Sequence, residues 1–287
     1  MRQTLLLIAA MALVGCGKKT TPAEPVTNAE PKVAAEKQEP PKTEPKQVGK
    51  KPTPPKAFTN TLGMKFVPVS GTDVQFSIWE TRVKDYAAYA AANAGVDESW
   101  KKPFGDEFKQ ADTHPVGKVN WEDANAFCEW LTKKELAEGK IKAGQKYRLP
   151  TDAEWSVAVG LDKEVGDTPE AKDGGMKDVY PWRKEWPPAV GAGNYSKNLK
   201  VDNFEYTSPV GSFAANKLDL HDMGGNVWEW CEDWYDPAAK ALRVLRGASW
   251  YIDYPDVLLS SFRLNCTPGG RFINFGFRCV LVGGSGG

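Results

Sequence analysis

The chain has 287 residues, with 37 basic and 37 acidic side chains, and a formal net charge of zero gives no bulk electrostatic case for nucleic-acid binding. Length allows one or two domains, and eleven Trp, nine Tyr and twelve Phe are enough to build a core. Only two histidines occur, His114 and His221, so a three-histidine metal site cannot form within one copy.

Arg2 gives a short positive start, and Leu5 to Val14 is an apolar run of ten residues. That is too short to span a bilayer, which takes about 20 residues, but it suits the core of a signal peptide. The run ends in Leu13-Val14-Gly15-Cys16, which resembles a lipobox, where the cysteine is acylated and becomes the new N-terminus. Residues 1–16 therefore read as a lipoprotein signal peptide with lipidation at Cys16. Two or three acyl chains hold a protein firmly, so the membrane is an expected partner without a transmembrane helix. The expected location is the cell envelope, on the periplasmic face or at an outer membrane.

Residues 17–57 contain nine Pro, nine Lys, five Glu and no aromatic residue. Such a segment cannot bury enough apolar surface to offset chain entropy, and proline keeps it extended. It reads as a disordered tether whose 41 residues reach roughly 130 Å at about 3.1 Å each. Its net charge is +4, which, with Arg2, leaves −5 on residues 58–287.

A globular domain is expected over residues 58–287. Phe66 to Val69 and Phe76 to Trp79 are short β-like runs. Thr81 is a plausible N-cap for a helix through Ala92, with Val83, Tyr86, Tyr89 and Ala90 at helical spacing. Asn120 caps a second helix, with Glu122 and Asp123 in its first turn and Ala124, Phe127, Cys128 and Leu131 on one face. Thr151-Asp152-Ala153-Glu154 is a capping box that opens a third. After Gly160 regular patterns fade into Gly-, Trp-, Asn- and Asp-rich sequence, which predicts a loop-rich α+β fold. Phosphate-binding glycine loops, His-Glu-x-x-His and Cys-x-x-Cys motifs are absent from the sequence. Export favours disulfides, and the four cysteines of the domain allow three pairings.

Several segments in order resemble the formylglycine-generating enzyme (sulfatase-modifying factor) family. They are Gly63 to Val69, His114-Pro115-Val116 through Asn120 to Cys128, Tyr147 to Trp155, Met223 to Trp230, Arg246 to Trp250, and Gly276 to Cys279. The resemblance implies that family's compact fold, related to C-type lectins. It also implies a bridge between Cys128 and Cys279, which leaves Cys231 and Cys266 as the second pair. The alternative for Cys231 and Cys266 is a redox or copper pair.

In the enzymes that this chain resembles, two cysteines after the Arg-Gly-x-Ser-aromatic motif hold copper(I) and attack the substrate. Those positions fall here near Ile252 and Val257, and no Cys lies between Cys231 and Cys266. Aliphatic side chains are neither soft-metal ligands nor nucleophiles, so copper is not expected and no catalytic residue is assigned. The expected function is a non-catalytic binding or structural module. The alternative is an oxidoreductase of the same type with a relocated site.

Two calcium sites are further implied by the resemblance, since calcium takes hard oxygen ligands. One joins Asp222 and Glu229 to the carbonyls of Gly225 and Val227. The other joins Asn194 and Asp202 to the carbonyls of Tyr195 and Phe204. Trp228, Ser249, Trp250 and Arg263 map near the family's substrate cleft, where they would suit a glycan, a peptide or an envelope protein. The Trp228, Trp230 and Trp234 group reads otherwise as core, and His114 as a structural hydrogen-bonding residue.

Overall fold

The computed structural model describes residues 56–283, except 162 and 184. The expected signal peptide, Cys16 and nearly all of the tether lie outside the described residues. Within them, no helix is long and apolar enough to cross a membrane.

The chain opens with strands β1 (Phe58–Thr59), β2 (Lys65–Pro68) and β3 (Val74–Ser77), a short antiparallel meander. Both apolar runs near residues 66 and 76 are strands, each beginning one or two residues earlier than the pattern suggests. Helix α1 (Val83–Ala92) follows. Its N-cap is Arg82, not Thr81 as expected: the Asp85 carboxylate takes the Arg82 N–H at 3.1 Å and the guanidinium at 2.8 Å. Thr81 is still extended, its N–H given to the Phe277 carbonyl at 2.8 Å.

Helix α2 (Trp121–Ala137) starts where the sequence places it. Asn120 Oδ1 accepts the Asp123 N–H at 2.8 Å, and Asp123 returns the bond to the Asn120 N–H at 3.0 Å. Its buried face carries Ala124, Phe127, Cys128 and Leu131. Phe127 stacks on Tyr86 of α1 at 6.0 Å between ring centroids; burying such a ring stabilises by about 1.5–3 kcal/mol. Strand β4 (Lys146–Arg148) leads to helix α3 (Asp152–Val159), capped by Thr151 and stopped by Gly160 at φ 88°. One further short helix, α4, covers Pro169–Lys172.

The segment after Gly160 holds more strand than its sequence suggests. Strands β5 (Trp228–Trp234), β6 (Arg243–Arg246), β7 (Leu264–Cys266), β8 (Phe275–Gly276) and β9 (Val280–Val282) all lie there. Four consecutive residues of β5 are buried, so the polar–apolar alternation that marks a half-exposed strand is missing. Two sheets result, in the orders β1-β2-β3-β9-β4 and β7-β6-β5-β8. Every pair is antiparallel except β5 with β8. Mixed sheets with few helices confirm the α+β class. Helix α2 packs on β4 and α1, while α3 packs on β5 and β6. The loops from 179 to 227 bond to several parts of the body, the His221 N–H to the Ile78 carbonyl, the Val210 N–H to that of Thr113 and the Ser196 N–H to that of Ile252.

Candidate functional site

The loop that enters β5 is the centre of the predicted oxygen-donor sites. Asp222, Gly225 and Asn226 take φ of 55°, 86° and 57°. At Gly225 the backbone has to pass close to Asn194: a Cβ there would stand 2.3 Å from the Asn194 carbonyl oxygen. Asn226, fully buried, organises the surroundings. Its N–H donates to the Asn194 carbonyl at 2.8 Å. Its Oδ1 accepts from Asn194 Nδ2 at 3.2 Å and from the Ser208 N–H at 3.0 Å. Its Nδ2 donates to Glu80 Oε2 at 3.2 Å. The two predicted sets are thus neighbours, Gly225 of one lying against Asn194 of the other.

The structure brings Asn194, Tyr195, Asp202 and Phe204 together. Asp202 accepts the Tyr195 N–H at 3.0 Å and the Phe204 N–H at 2.8 Å, one on each oxygen. Asn194 Oδ1 is buried and, among the described residues, has no hydrogen-bond partner. No backbone N–H within them bonds to the carbonyls of Tyr195 or Phe204. An amide oxygen, a carboxylate and two carbonyls are the donor types that a hard cation takes, and both Asp202 oxygens already accept a backbone N–H.

The second set is differently balanced. Asp222 Oδ2 accepts the Gly211 N–H at 2.7 Å, and the carbonyls of Gly225 and Val227 likewise receive no backbone N–H within the described residues. Glu229 is fully buried and held by both arms of Arg278 at 2.6 Å, with Trp155 Nε1 at 3.1 Å. A cation here would share Glu229 with that guanidinium. Glu80, which the sequence did not flag, also belongs to this corner. It is fully buried, and its Oε1 has no partner among the described residues. Burial pushes its carboxyl well above the usual range, and the nearby Asp222 and Glu229 push it further. Asp222 is raised as well, chiefly by burial. Three carboxyl groups therefore surround a single guanidinium. Within the described residues, this corner included, no three His, Cys, Asp or Glu side chains converge as a metal site.

Where the enzymes of the resembling family carry thiols, this structure has Ile252, buried in the main core, and Val257, packed at its margin. The residues that map near the family's cleft, Trp228, Ser249, Trp250 and Arg263, are all buried in this structure. Trp228 packs on Phe262 at 5.9 Å. Ser249 Oγ accepts from Asn274 Nδ2 at 3.1 Å. Trp250 lies against Tyr206 at 5.2 Å and Phe104 at 5.9 Å. Arg263 is locked onto Asp152 at 2.9 Å and Glu164 at 2.5 Å.

Cys128 and Cys279 meet as buried thiols, Sγ to Sγ 3.5 Å, longer than the ~2.05 Å of a covalent bridge. Burial raises the Cys128 thiol well above its ordinary range, and Cys279 adds to this. The second pairing is corrected. Cys231 on β5 and Cys266 on β7 have β6 between them, so their Cα atoms are roughly 9–10 Å apart. They also face different core clusters on opposite sides of the sheet. His114 is structural as expected, with Nδ1 3.0 Å from Thr207 Oγ1.

A two-sheet α+β body with long donor-rich loops, and apolar side chains in the thiol positions, defines a formylglycine-generating-enzyme-type domain. The chain belongs to the sulfatase-modifying factor enzyme 1-like domain family, whose match covers residues 24–282. It is 34% identical over 198 residues to the mouse inactive C-alpha-formylglycine-generating enzyme 2, covering 64% of this chain and 55% of that protein. It is 31% identical over 204 residues to the formylglycine-generating enzyme of Streptomyces coelicolor, covering 63% and 57% respectively. The chain thus spans little more than half the length of these relatives. In fold, it resembles the structure of PvdO from Pseudomonas aeruginosa, with a TM-score of 0.56 at 21% identity, covering 80% of this chain and 99% of that one. Treponema denticola variable protein 1 gives 0.51 at 20% identity, with 78% and 93% covered.

Proposed function

We propose that this chain is an envelope lipoprotein whose formylglycine-generating-enzyme-type domain works as a binding or structural module without oxidase activity. The observation that carries the reading is the pair Ile252 and Val257. With no thiolate at either position, the site has no ligand for copper(I) and no nucleophile for a substrate cysteine. Similarity to relatives named inactive supports the same reading.

Calcium is the proposed cofactor, holding the loops in a fixed shape. Asn194, with its unpartnered Oδ1, Asp202 and the carbonyls of Tyr195 and Phe204 would hold one ion. Asp222, Glu229, Gly225 and Val227 would hold a second, sharing Glu229 with Arg278. The ion would supply positive charge among oxygen donors that otherwise repel one another. Lipidation at Cys16 would place the domain at a membrane surface. An oxidase with a relocated site is the competing reading, but the four thiols of the domain are all buried, which opposes it.

The test is to incubate the chain with copper(I), oxygen and a sulfatase-type cysteine peptide. Unmodified peptide is expected, and an aldehyde product by mass spectrometry would overturn the reading. In parallel, Cys16→Ser should move the protein from the membrane fraction to the soluble one. Retention of a signal-cleaved mutant in the membrane would remove the anchor.

A further inference from the structure

Residues Tyr180 to Arg183 form a closed turn. The Tyr180 N–H donates to the Arg183 carbonyl at 2.6 Å, and the Arg183 N–H to the Tyr180 carbonyl at 2.8 Å. Arg183 holds a φ of 103°, which a residue with a side chain adopts only at a cost. The turn presents an ordered set of rings. Trp182 lies flat on Tyr180, 4.8 Å between centroids and 4° between planes. Trp186 closes the group at 5.7 Å from Tyr180 and 6.3 Å from Trp182. Trp182 Nε1 donates to the Glu185 carbonyl at 2.7 Å, and its ring stands edge-on against the buried Tyr195 at 5.2 Å. The platform is therefore pinned to the body, yet Trp186 keeps 39% of its surface in water.

An adjoining loop extends this surface. Tyr254 is 61% exposed, and Asp256 approaches Lys177 at 4.0 Å. Burial pushes the Tyr180 hydroxyl up, and Asp178 and Asp256 add to this. Rings fixed in this way, with Trp182 and Trp186 partly open to water over a buried Tyr180, suit an extended proline-rich chain. Such a chain is already in the polyproline conformation and gives up little entropy on docking.

The chain carries such a sequence itself, Pro52-Thr53-Pro54-Pro55-Lys56, within a segment of net charge +4 facing a remainder of −5. That run stands two to six residues from Phe58 of β1, and a second, Pro40-Pro41-Lys42, stands further out, where the 15 residues between Lys42 and Phe58 reach roughly 46 Å when extended. A domain of this size has a radius of gyration of about 17 Å, so reach does not limit contact. We propose that the platform of Tyr180, Trp182 and Trp186 is a docking site for the proline- and lysine-rich segment 17–56 of this same chain. Docking draws the domain back toward its attachment point, and release lets it extend.

Two readouts on the full mature chain address the two partners separately. Trypsin cleavage after Lys42 and Lys46 samples only the undocked fraction, so Trp186→Ala should speed it by about threefold or more. Because Trp186 is exposed, the melting temperature should hold. The Trp186 indole N–H resonance should move in a Pro40→Ala, Pro41→Ala, Pro45→Ala triple variant, while those of the buried Trp155 and Trp230 stay in place. Equal cleavage rates, or a Trp186 resonance indifferent to the prolines, would overturn the proposal. So would a glucan or chitin oligosaccharide that shifts this resonance while the cleavage rates stay equal, because the rings then serve a sugar.

Discussion

Replacing Asp152 with Asn tests the most charged part of the interior. Asp152 opens helix α3 and is buried between two guanidiniums. It pairs with Arg246 and accepts from Arg263 at 2.9 and 3.1 Å. Both arginines are fully buried, and Arg246 stacks over Trp155 at 4.4 Å. Burial by itself would raise the Asp152 carboxyl, but Arg246 and Arg263 overcome this and hold it below its usual range. In Asp152→Asn, Arg263 keeps Glu164. Arg246 retains only neutral partners, Ser156 Oγ at 3.1 Å and the Ser260 carbonyl at 2.7 Å. Removing one partner of a buried pair costs about 3–5 kcal/mol. For a domain of this size that is a fall of roughly 6–20 °C in melting temperature, at about 2–4 °C per kcal/mol. A carboxylate with a depressed folded pKa stabilises above its unfolded pKa, and loses this as pH falls through the folded value. The gap between native protein and variant should therefore be full at pH 7 and shrink below about pH 4. Calorimetry at both pH values decides it. A drop of less than about 2 °C at pH 7, or a gap that does not change with pH, would sink the argument.

Glu80→Gln should act in the opposite direction. A buried carboxyl with a raised pKa destabilises increasingly as pH rises from the usual carboxylate range toward its folded value, so in chelator at pH 7 to 8 the variant should melt higher than the native protein; a lower melting point would show that the glutamate is charged and compensated. Calcium removal should lower the melting temperature by several degrees, consistent with about 2.7 kcal/mol when the ion is at 100 times its Kd, and Asp202→Ala should lose part of that response. Unchanged melting with chelator, together with no calcium by elemental analysis, would leave these oxygens as turn caps. Mild oxidation followed by peptide mapping should join Cys128 to Cys279, 3.5 Å apart as thiols, and should not join Cys231 to Cys266. Recovery of a Cys231–Cys266 peptide would contradict the strand order of the second sheet.

The helices were legible because each announces itself locally. Asn120 with Asp123 and Thr151 with Glu154 exchange reciprocal capping bonds within four residues, and the structure starts both helices there. Thr81 misled because the bonding group was Asp85, which caps Arg82 from inside the helix. The strands after residue 227 were illegible because both faces of β5 are covered, which removes any period of two. The donor loops were found only through the resemblance, since Asn194 and Asp222 are 28 positions apart in sequence. Glu80 escaped because nothing near it in sequence marks it as buried, and its neighbours Asp222 and Glu229 come from another third of the chain. Arg263 was assigned to a ligand because its two carboxylates are equally remote, at Asp152 and Glu164.

Strand β9, Val280–Val282, sits inside the first sheet, bonded to β3 on one side and β4 on the other. Phe76 and Arg148 both pair with Val280, so residues some 200 and 130 positions apart from it in sequence wait for the same three amides. During synthesis, the first sheet is therefore two unjoined halves until residue 282 has left the ribosome. A chain in that condition has not yet closed its first sheet, whatever its N-terminal three quarters have already folded. A nascent chain stopped before Val280 should be digested like an unfolded one, whereas the complete domain resists.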